Sequence, residues 1–253
     1  MIRDTDGDDA ADVMEDIVQG LPFGWHETNG LVVGTDGKLY VGLGSTCNAC
    51  DEDDPRSASI LRYNLDGSGE EIFATGLRNT YDMAFHPEDG TLWGADNGMQ
   101  IPGQTNPPDE LNLIVAGGDY GWPYCWGMGE GDDCSGKISP VTTLGENVSA
   151  DGITFYTGDH FPDAFRNNIF IAEWGSFAGN TGRKVIRVVL EIQDGRYVAT
   201  VYDFITGLDR PLDVVVDQAG ALLVADYGTG IIYRVTHRNI ELESTYLPLI
   251  HRD

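Results

Sequence analysis

The sequence predicts an all-β fold assembled from β-propeller blades, and three observations carry that reading. Glycine is abundant, at 33 of 253 residues, and short apolar runs are cut by turn pairs such as Asp36-Gly37, Asp89-Gly90 and Ala219-Gly220. Helix signals are nearly absent. One unit also recurs: a strand, a turn, then a second strand ending in small or acidic residues.

The clearest copies run from Leu31 to Gly44, from Asp82 to Gly98 and from Asp213 to Asp226. A looser copy opens at Asp151 to Tyr156 and resumes at Asn168 to Glu173 after an inserted loop. Between copies, Ser59 to Asn64 with Glu71 to Ala74, and Lys184 to Leu190 with Tyr197 to Tyr202, supply further strands. Four strands per unit at a period of about 50 to 70 residues is the pattern of propeller blades. An ordinary β-sandwich would not repeat its inner strand in this way.

The expected organisation is an acidic loop over residues 1–12, blades over 13–238, and a tail or ring-closing segment over 239–253. About four blades are recognisable. Closed propellers have four to eight, so four units and an abrupt start in an acidic loop predict a propeller that is incomplete at its N-terminus.

The net charge of −26, from 41 acidic and 15 basic side chains, makes nucleic acid and anionic membrane surfaces unfavourable partners. Most of that charge reads as a solvated surface, with local clusters suited to divalent cations. One such cluster is Asp4, Asp6, Asp8 and Asp12, at positions one, three, five and nine of a Gly-containing loop. That alternation is how short Asp-rich loops wrap an oxygen-loving cation, although the bidentate Glu of a full EF-hand loop is missing and an acidic terminus without an ion fits equally. No segment is long and apolar enough to span a membrane, and the first residues carry no hydrophobic signal region.

Four cysteines fall into two local pairs, Cys47/Cys50 and Cys125/Cys134. No His follows Cys50, so the first is not a haem-attachment motif. Four thiols suit zinc in principle, but the long, acidic, Gly-rich second spacing argues against it. Two loop disulfides are expected, and with them an oxidising compartment.

The chemistry-bearing motifs are ordered along the chain. Gly76-Leu-Arg-Asn79 precedes an inner strand, where propeller loops face the central axis. Asp96-Asn-Gly98, Asp109-Glu-Leu-Asn-Leu-Ile114 and Gly117-Gly-Asp-Tyr-Gly-Trp-Pro123 follow. Flanking them are His26-Glu-Thr-Asn-Gly-Leu31, Ser45-Thr-Cys-Asn-Ala-Cys50, Phe155-Tyr-Thr-Gly158, Gly182-Arg-Lys-Val-Ile-Arg-Val188 and Arg210-Pro-Leu-Asp-Val-Val215. Taken in this order, over nearly the whole chain, the motifs resemble the soluble glucose dehydrogenases and L-sorbosone dehydrogenases that use pyrroloquinoline quinone (PQQ).

The resemblance implies a six-bladed propeller type and a PQQ- and calcium-dependent oxidoreductase. Such an enzyme oxidises an aldose or related aldehyde by hydride transfer to the quinone and passes electrons to a separate acceptor, such as a cytochrome. It implies that His26 is the general base and that Arg78 and Asn79 contact the quinone, with Arg78 stabilising its developing charge. Lys184 and Arg210 fall where the family places further basic contacts to the cofactor, with Arg183 a competitor for Lys184. Calcium would take main-chain carbonyls of Gly98 and Met99, with Asp96 near, and Glu110 with the Tyr120 segment resembles a second, structural calcium site. A periplasmic or extracellular location follows from the same resemblance.

The chain departs from the family at several points. Trp25 precedes the His, Trp174-Gly-Ser-Phe177 lacks a His and Arg found in sorbosone-type relatives, and Leu212 stands where glucose enzymes carry a second Arg. The alternative function is therefore a non-catalytic, calcium-binding propeller that binds a sugar or a protein partner.

Overall fold

The computed structural model describes residues 2–100, 105–176, 179 and 181–237. Residues 239–253, expected as a tail or closing segment, lie outside the described residues. Strands β1 (Ile2–Arg3) and β2 (Val13–Met14) pair around the acidic loop. The first large sheet is β3 (Thr28–Val33), β4 (Lys38–Leu43), β5 (Ser59–Asn64) and β6 (Glu71–Thr75), paired antiparallel in sequence order.

The second sheet begins with β7 (Thr80–Phe85), β8 (Leu92–Asp96) and β9 (Pro108–Ile114). A long excursion follows. In it β10 (Gly118–Asp119) adds to β6 in parallel, and β11 (Cys125–Trp126) pairs with β12 (Glu130–Gly131). Then β13 (Thr142–Glu146) completes the second sheet against β9. The third sheet is β14 (Ala150–Phe155), β15 (Ile169–Glu173), β16 (Lys184–Gln193) and β17 (Arg196–Thr206). The fourth has β18 (Pro211–Val216), β19 (Leu222–Asp226) and β20 (Ile231–Val235).

Each recurring sequence unit thus forms the first two strands of one sheet. The first strands β3, β7, β14 and β18 lie side by side, so the sheets are arranged as propeller blades around a shared axis. The core sits between blades, and strand alternation builds it. In β15, Ile169 and Ile171 face the cluster shared with the second sheet, beside Trp93 and Leu111. Phe170 and Ala172 face the other way, against Tyr156, Val214 and Leu222 of the next interface. Because β15 is buried on both faces, it reads as a continuous apolar run rather than an alternating one. Tyr40, Ile60, Phe73, Met83 and Ile114 fill the first interface. The outer face of the first sheet, Val41, Leu43, Leu61 and Tyr63, is covered by Val18 and Leu21 of the segment before β3.

All four first strands share an irregularity: their register shifts near the axial end, between Thr28/Leu31, Thr80/Asp82, Ala150/Ile153 and Pro211/Asp213. Bulges of this kind bend a strand and re-aim its side chains at a barrel or propeller rim. They also bring neighbours close. A Cβ on Gly30 would lie 2.3 Å from Asp82 Oδ1, and one on Gly152 would lie 2.4 Å from Asp213 Oδ1.

Candidate functional site

Two adjoining cavities open at the end of the sheets where the loops before each first strand meet the loops after each second strand. The first, 660 Å³, runs along the axis between Asn29, Tyr81, Asp82, Gly152, Leu212 and Asp213. The second, 470 Å³, is lined by Trp25, Asn48, Arg78, Asn97, Gly98 and Trp174, among others. His26 and Asn79 line both. The expected base and the expected Arg-Asn pair, 52 residues apart at their first members, are thereby brought to one site.

A glycine just after β4 makes room for His26. The second strands of the last three sheets end in an acid: Asp96, Glu173 and Asp226. Asp96 accepts hydrogen bonds from the Arg78 and Asn79 amides (3.1 and 2.9 Å) and from Thr80 Oγ1 (2.9 Å), which locks the loop entering β7. Asp226 takes the Asp209 amide at 2.9 Å in the same manner. In the first sheet the corresponding residue at the end of β4 is the buried Leu43, which pairs with Thr28 as Asp96 pairs with Thr80. Gly44 follows it, and a Cβ there would meet His26 Cβ at 2.2 Å and Asn79 Oδ1 at 2.8 Å, so His26 takes the space that a side chain at position 44 would need.

The hydrogen bonds of His26 assign its tautomer. Nδ1 lies 3.0 Å from the Ser45 carbonyl oxygen and 2.8 Å from Ser45 Oγ. A carbonyl only accepts, and Ser45 Oγ spends its own proton on the Cys47 carbonyl at 2.7 Å. Nδ1 therefore carries the hydrogen, and Nε2, with no hydrogen-bond partner among the described residues, is the basic nitrogen. Burial, with the Arg78 charge beside it, pushes the His26 pKa down to about 4. At neutral pH the ring is a neutral acceptor, which is the state a general base needs.

Arg78 is buried, and its guanidinium is gripped by two loops. Nε donates to the Asn48 carbonyl (3.0 Å), one Nη to Asn48 Oδ1 (3.0 Å) and the other to the Asn97 carbonyl (2.9 Å). Of its five N–H donors, two remain without a partner among the described residues. Asn79 Oδ1 accepts from Asn29 Nδ2 at 2.8 Å.

Carboxylates gather behind this pair. Asp109 and Asp151 line the second cavity, and burial raises each to about 7. Asp109 accepts the Gly98 amide at 2.8 Å and the Ala150 amide at 3.1 Å, so it ties the loop after β8 to the start of β14. Gly98 is required there, since a Cβ would lie 2.6 Å from the Pro107 carbonyl oxygen. Met99 is buried next to it. Glu110 lines neither cavity: its Oε1 takes the Gly127 amide at 2.5 Å, and burial followed by the nearby Asp96 charge raises it to about 8.

Arg210 lines neither cavity; its guanidinium sits 4.0 Å from the centre of the ring of Trp174, which lines the second. Its φ of 67° places it in the left-handed region just before β18. Lys184 lines neither cavity. Its ammonium pairs with Asp203 at 2.5 Å and Glu173 at 3.8 Å across the third sheet, and Arg183 pairs with Asp209 at 3.7 Å. In the N-terminal loop, Asp4, Asp6 and Asp8 bring carboxylate oxygens within 4.8 Å of one another. Asp12 is held apart from that group by the Thr5 amide and hydroxyl, at 2.8 and 2.7 Å.

Sequence reasoning gave no role to Ser45, Asn48, Asn97 or Tyr81. Ser45 and Asn48 lie inside a recognised motif, but only the folded loop reveals which way their oxygens face. Both expected disulfides form, Cys47–Cys50 and Cys125–Cys134. Among the described residues no helix is long and apolar enough to cross a membrane.

Blades around an axial cavity, with a neutral imidazole and a buried guanidinium lining the cavity that adjoins it, define a β-propeller with a built axial site. The particular family is also fixed: the chain belongs to the Glucose / Sorbosone dehydrogenase family, whose model matches residues 2–234. It is 31% identical over 221 residues to an uncharacterized protein of Borreliella burgdorferi, covering 80% of this chain and 58% of that protein. Against quinoprotein glucose dehydrogenase B of Acinetobacter calcoaceticus it is 31% identical over 141 residues, 43% of this chain and 28% of the relative. Among solved structures, an oxidoreductase of Thermus thermophilus described as a glucose dehydrogenase superposes with TM-score 0.65 at 28% identity, covering 82% of this chain and 62% of that one. The apo aldose sugar dehydrogenase of Escherichia coli shares the fold, with TM-score 0.59 at 23% identity over 79% of this chain and 60% of that one. The chain therefore spans about 60% of the length of these structures.

Proposed function

We propose that this chain is a PQQ- and calcium-dependent oxidoreductase acting on an aldose sugar or related aldehyde, with His26 as general base. The observation that carries this reading is the meeting of His26, neutral and with Nε2 unengaged, with the cationic Arg78 in one cavity.

The residues present fit both groups. PQQ is an anionic quinone, and Arg78 is the one cationic side chain among the described residues lining either cavity. Two of its N–H donors are uncommitted, and Arg210 lies behind the Trp174 wall. For calcium, Asn97 Oδ1 is buried with no hydrogen-bond partner in a residue lining the same cavity. An oxygen left without a donor suits a hard cation, as do main-chain carbonyls at Gly98 and Met99. When bound, the quinone supplies a two-electron acceptor and calcium polarises it.

The chain's own residues do the rest. His26 Nε2 accepts the proton of the substrate hydroxyl, and the Ser45 contacts keep the ring from turning as it does so. Arg78 and Asn79 present donors to the cofactor, and Arg78 stabilises negative charge that develops there. Trp25 and Trp174 offer apolar ring surface at the cavity wall to a sugar face. Lys184, committed to Asp203, is not part of the proposed cofactor set. Glu110, beside the β11–β12 hairpin, and the Asp4, Asp6 and Asp8 loop are proposed as separate calcium ligands. The two disulfides support a periplasmic or extracellular location.

The test is titration of the cofactor-free protein with PQQ and Ca²⁺, followed by dye reduction with a panel of aldoses and aldehydes. Tight, calcium-dependent PQQ binding with sugar-dependent reduction is expected. A folded protein that binds no PQQ would refute the assignment.

A further inference from the structure

Both residues placed at the centre of the site are held by one short segment. After β4 the chain runs Ser45-Thr46-Cys47-Asn48-Ala49-Cys50, and the Cys47–Cys50 disulfide closes its second half. Ser45 receives His26 Nδ1 through its carbonyl and its hydroxyl, and that hydroxyl is itself oriented by the Cys47 carbonyl. One residue further, Asn48 receives Arg78 twice, through its carbonyl and its side-chain oxygen. The segment also reaches the next blade's loop: Asn48 Nδ2 donates to the Gln100 carbonyl at 2.6 Å, and the Gln100 amide donates to Asn48 Oδ1 at 3.0 Å. Its base is fixed by Glu52, which accepts the Thr46 amide and hydroxyl at 2.8 and 2.5 Å.

We infer that the disulfide-closed segment from Ser45 to Cys50 is the positioning element of the site, holding His26 in one tautomer and Arg78 in one orientation. Two backbone carbonyls, of Cys47 and Asn48, must face inward from consecutive residues while Asn48 also turns its side chain inward. An open loop has many other conformations, and fixing its residues costs backbone entropy. The disulfide removes those alternatives at the point where the carbonyls are needed. Nothing comparable falls on the other disulfide, which sits at the β11–β12 hairpin and lines neither cavity.

This inference rests on His26 and Arg78 being the working residues, so its test includes readouts that need neither cofactor nor turnover. In protein with ¹⁵N-labelled histidine and arginine, the His26 ring nitrogens report the tautomer, and the Arg78 Nε–H reports a held guanidinium. The charged groups around the ring are Arg78 and Glu27, with Asp82 and Asp213 across the first cavity. None of these is altered by the variants below.

In Cys47→Ser/Cys50→Ser, the two His26 nitrogen shifts should move toward the average of an exchanging imidazole. The Arg78 Nε–H signal should collapse into the envelope of exposed arginines, while Cys125→Ser/Cys134→Ser leaves both unchanged. Reconstituted with PQQ and calcium, the first variant should lose about 10- to 100-fold in kcat, as expected for misplacement of about 1 Å, with a smaller change in KM. If the double variant does not fold, Asn48→Ala keeps the disulfide and should release the Arg78 Nη held by Asn48 Oδ1, while the Nε–H stays on the main-chain carbonyl. Unchanged His26 and Arg78 signals in a folded Cys47→Ser/Cys50→Ser variant, or unchanged Arg78 Nη–H signals in Asn48→Ala, would overturn the inference. Failure of PQQ binding in the wild type, with the signals behaving as described, would refute the proposed function and leave the positioning intact.

Discussion

Replacing Gly44 by alanine puts a methyl group where His26 stands, and its cost can be worked from the coordinates. The new Cβ would lie 2.2 Å from His26 Cβ, whereas carbon atoms rest at about 3.5–4.0 Å. One of them must move by about 1.5 Å, and neither is the end of a flexible chain. Gly44 is pinned on the first sheet by the hydrogen bond from its amide to the Glu27 carbonyl at 3.1 Å, and His26 by the one from its amide to the Ser45 carbonyl at 3.1 Å. Strain of this kind costs about 1–3 kcal/mol, and a comparable displacement of a catalytic group costs about 100-fold in rate. The assay is a double-mutant cycle in urea. Gly44→Ala should destabilise the wild-type background by about 1–3 kcal/mol and the His26→Gly background by less, because the closest collision is with the side chain at position 26 and only the milder contact with Asn79 Oδ1 at 2.8 Å remains without it. The difference is the coupling energy, and the cycle cancels the backbone entropy that His26→Gly introduces. Equal destabilisation in both backgrounds would refute the claim that His26 fills the space beside Gly44.

The remaining expectations concern pH and packing. Because His26 titrates near 4, the acid limb of kcat/KM for the PQQ-loaded protein should fall near pH 4 rather than near 6.5, with activity present above it and lost below; a limb near 6.5 would mean that the ring is exposed or that another base acts. Burial raises Asp82 to about 6 despite its bond from the Ile153 amide. A raised carboxyl pKa favours the folded state below the unfolded value, and that contribution is lost as pH rises toward 6. The urea midpoint should therefore decline between pH 4 and 6, with Asp82 contributing about 2 kcal/mol beside the other buried carboxyls that are raised, Asp96, Asp109, Glu110, Asp151 and Glu173, and Asp82→Asn should make the decline shallower by its share. Ile171, fully buried between the second and third sheets, should cost about 2–5 kcal/mol when cut to alanine, with the denaturant slope unchanged.

How much of this was legible in the sequence depends on the range of the interaction. The strand–turn–strand units set the first two strands of each sheet, because period-2 alternation and turn residues act over a few positions. Strand β9 carries a motif rather than an alternating strand pattern, and β13 and β20 carry neither. The first sits among buried polar residues such as Asp109, Glu110 and Asn112, and the latter two lack a clear alternating pattern. The long excursion with β10 to β12 pairs back onto β6, a contact that no local pattern announces.

The site divides in the same way. The amino-acid sequence by itself determined the fold class, the family motifs, the two local disulfides and the identity of His26, Arg78 and Asn79 as candidates, since each rests on residue type and short spacing. Only the tertiary structure decided that His26 packs against Gly44 at the end of β4, that Ser45 fixes its proton on Nδ1, and that Asn48 grips Arg78. It also decided that Lys184 spends its charge on Asp203 while Arg210 lies on Trp174. These outcomes depend on which loops meet at the axis once separate blades pack, and packing between blades is a property of buried surfaces rather than of any one segment.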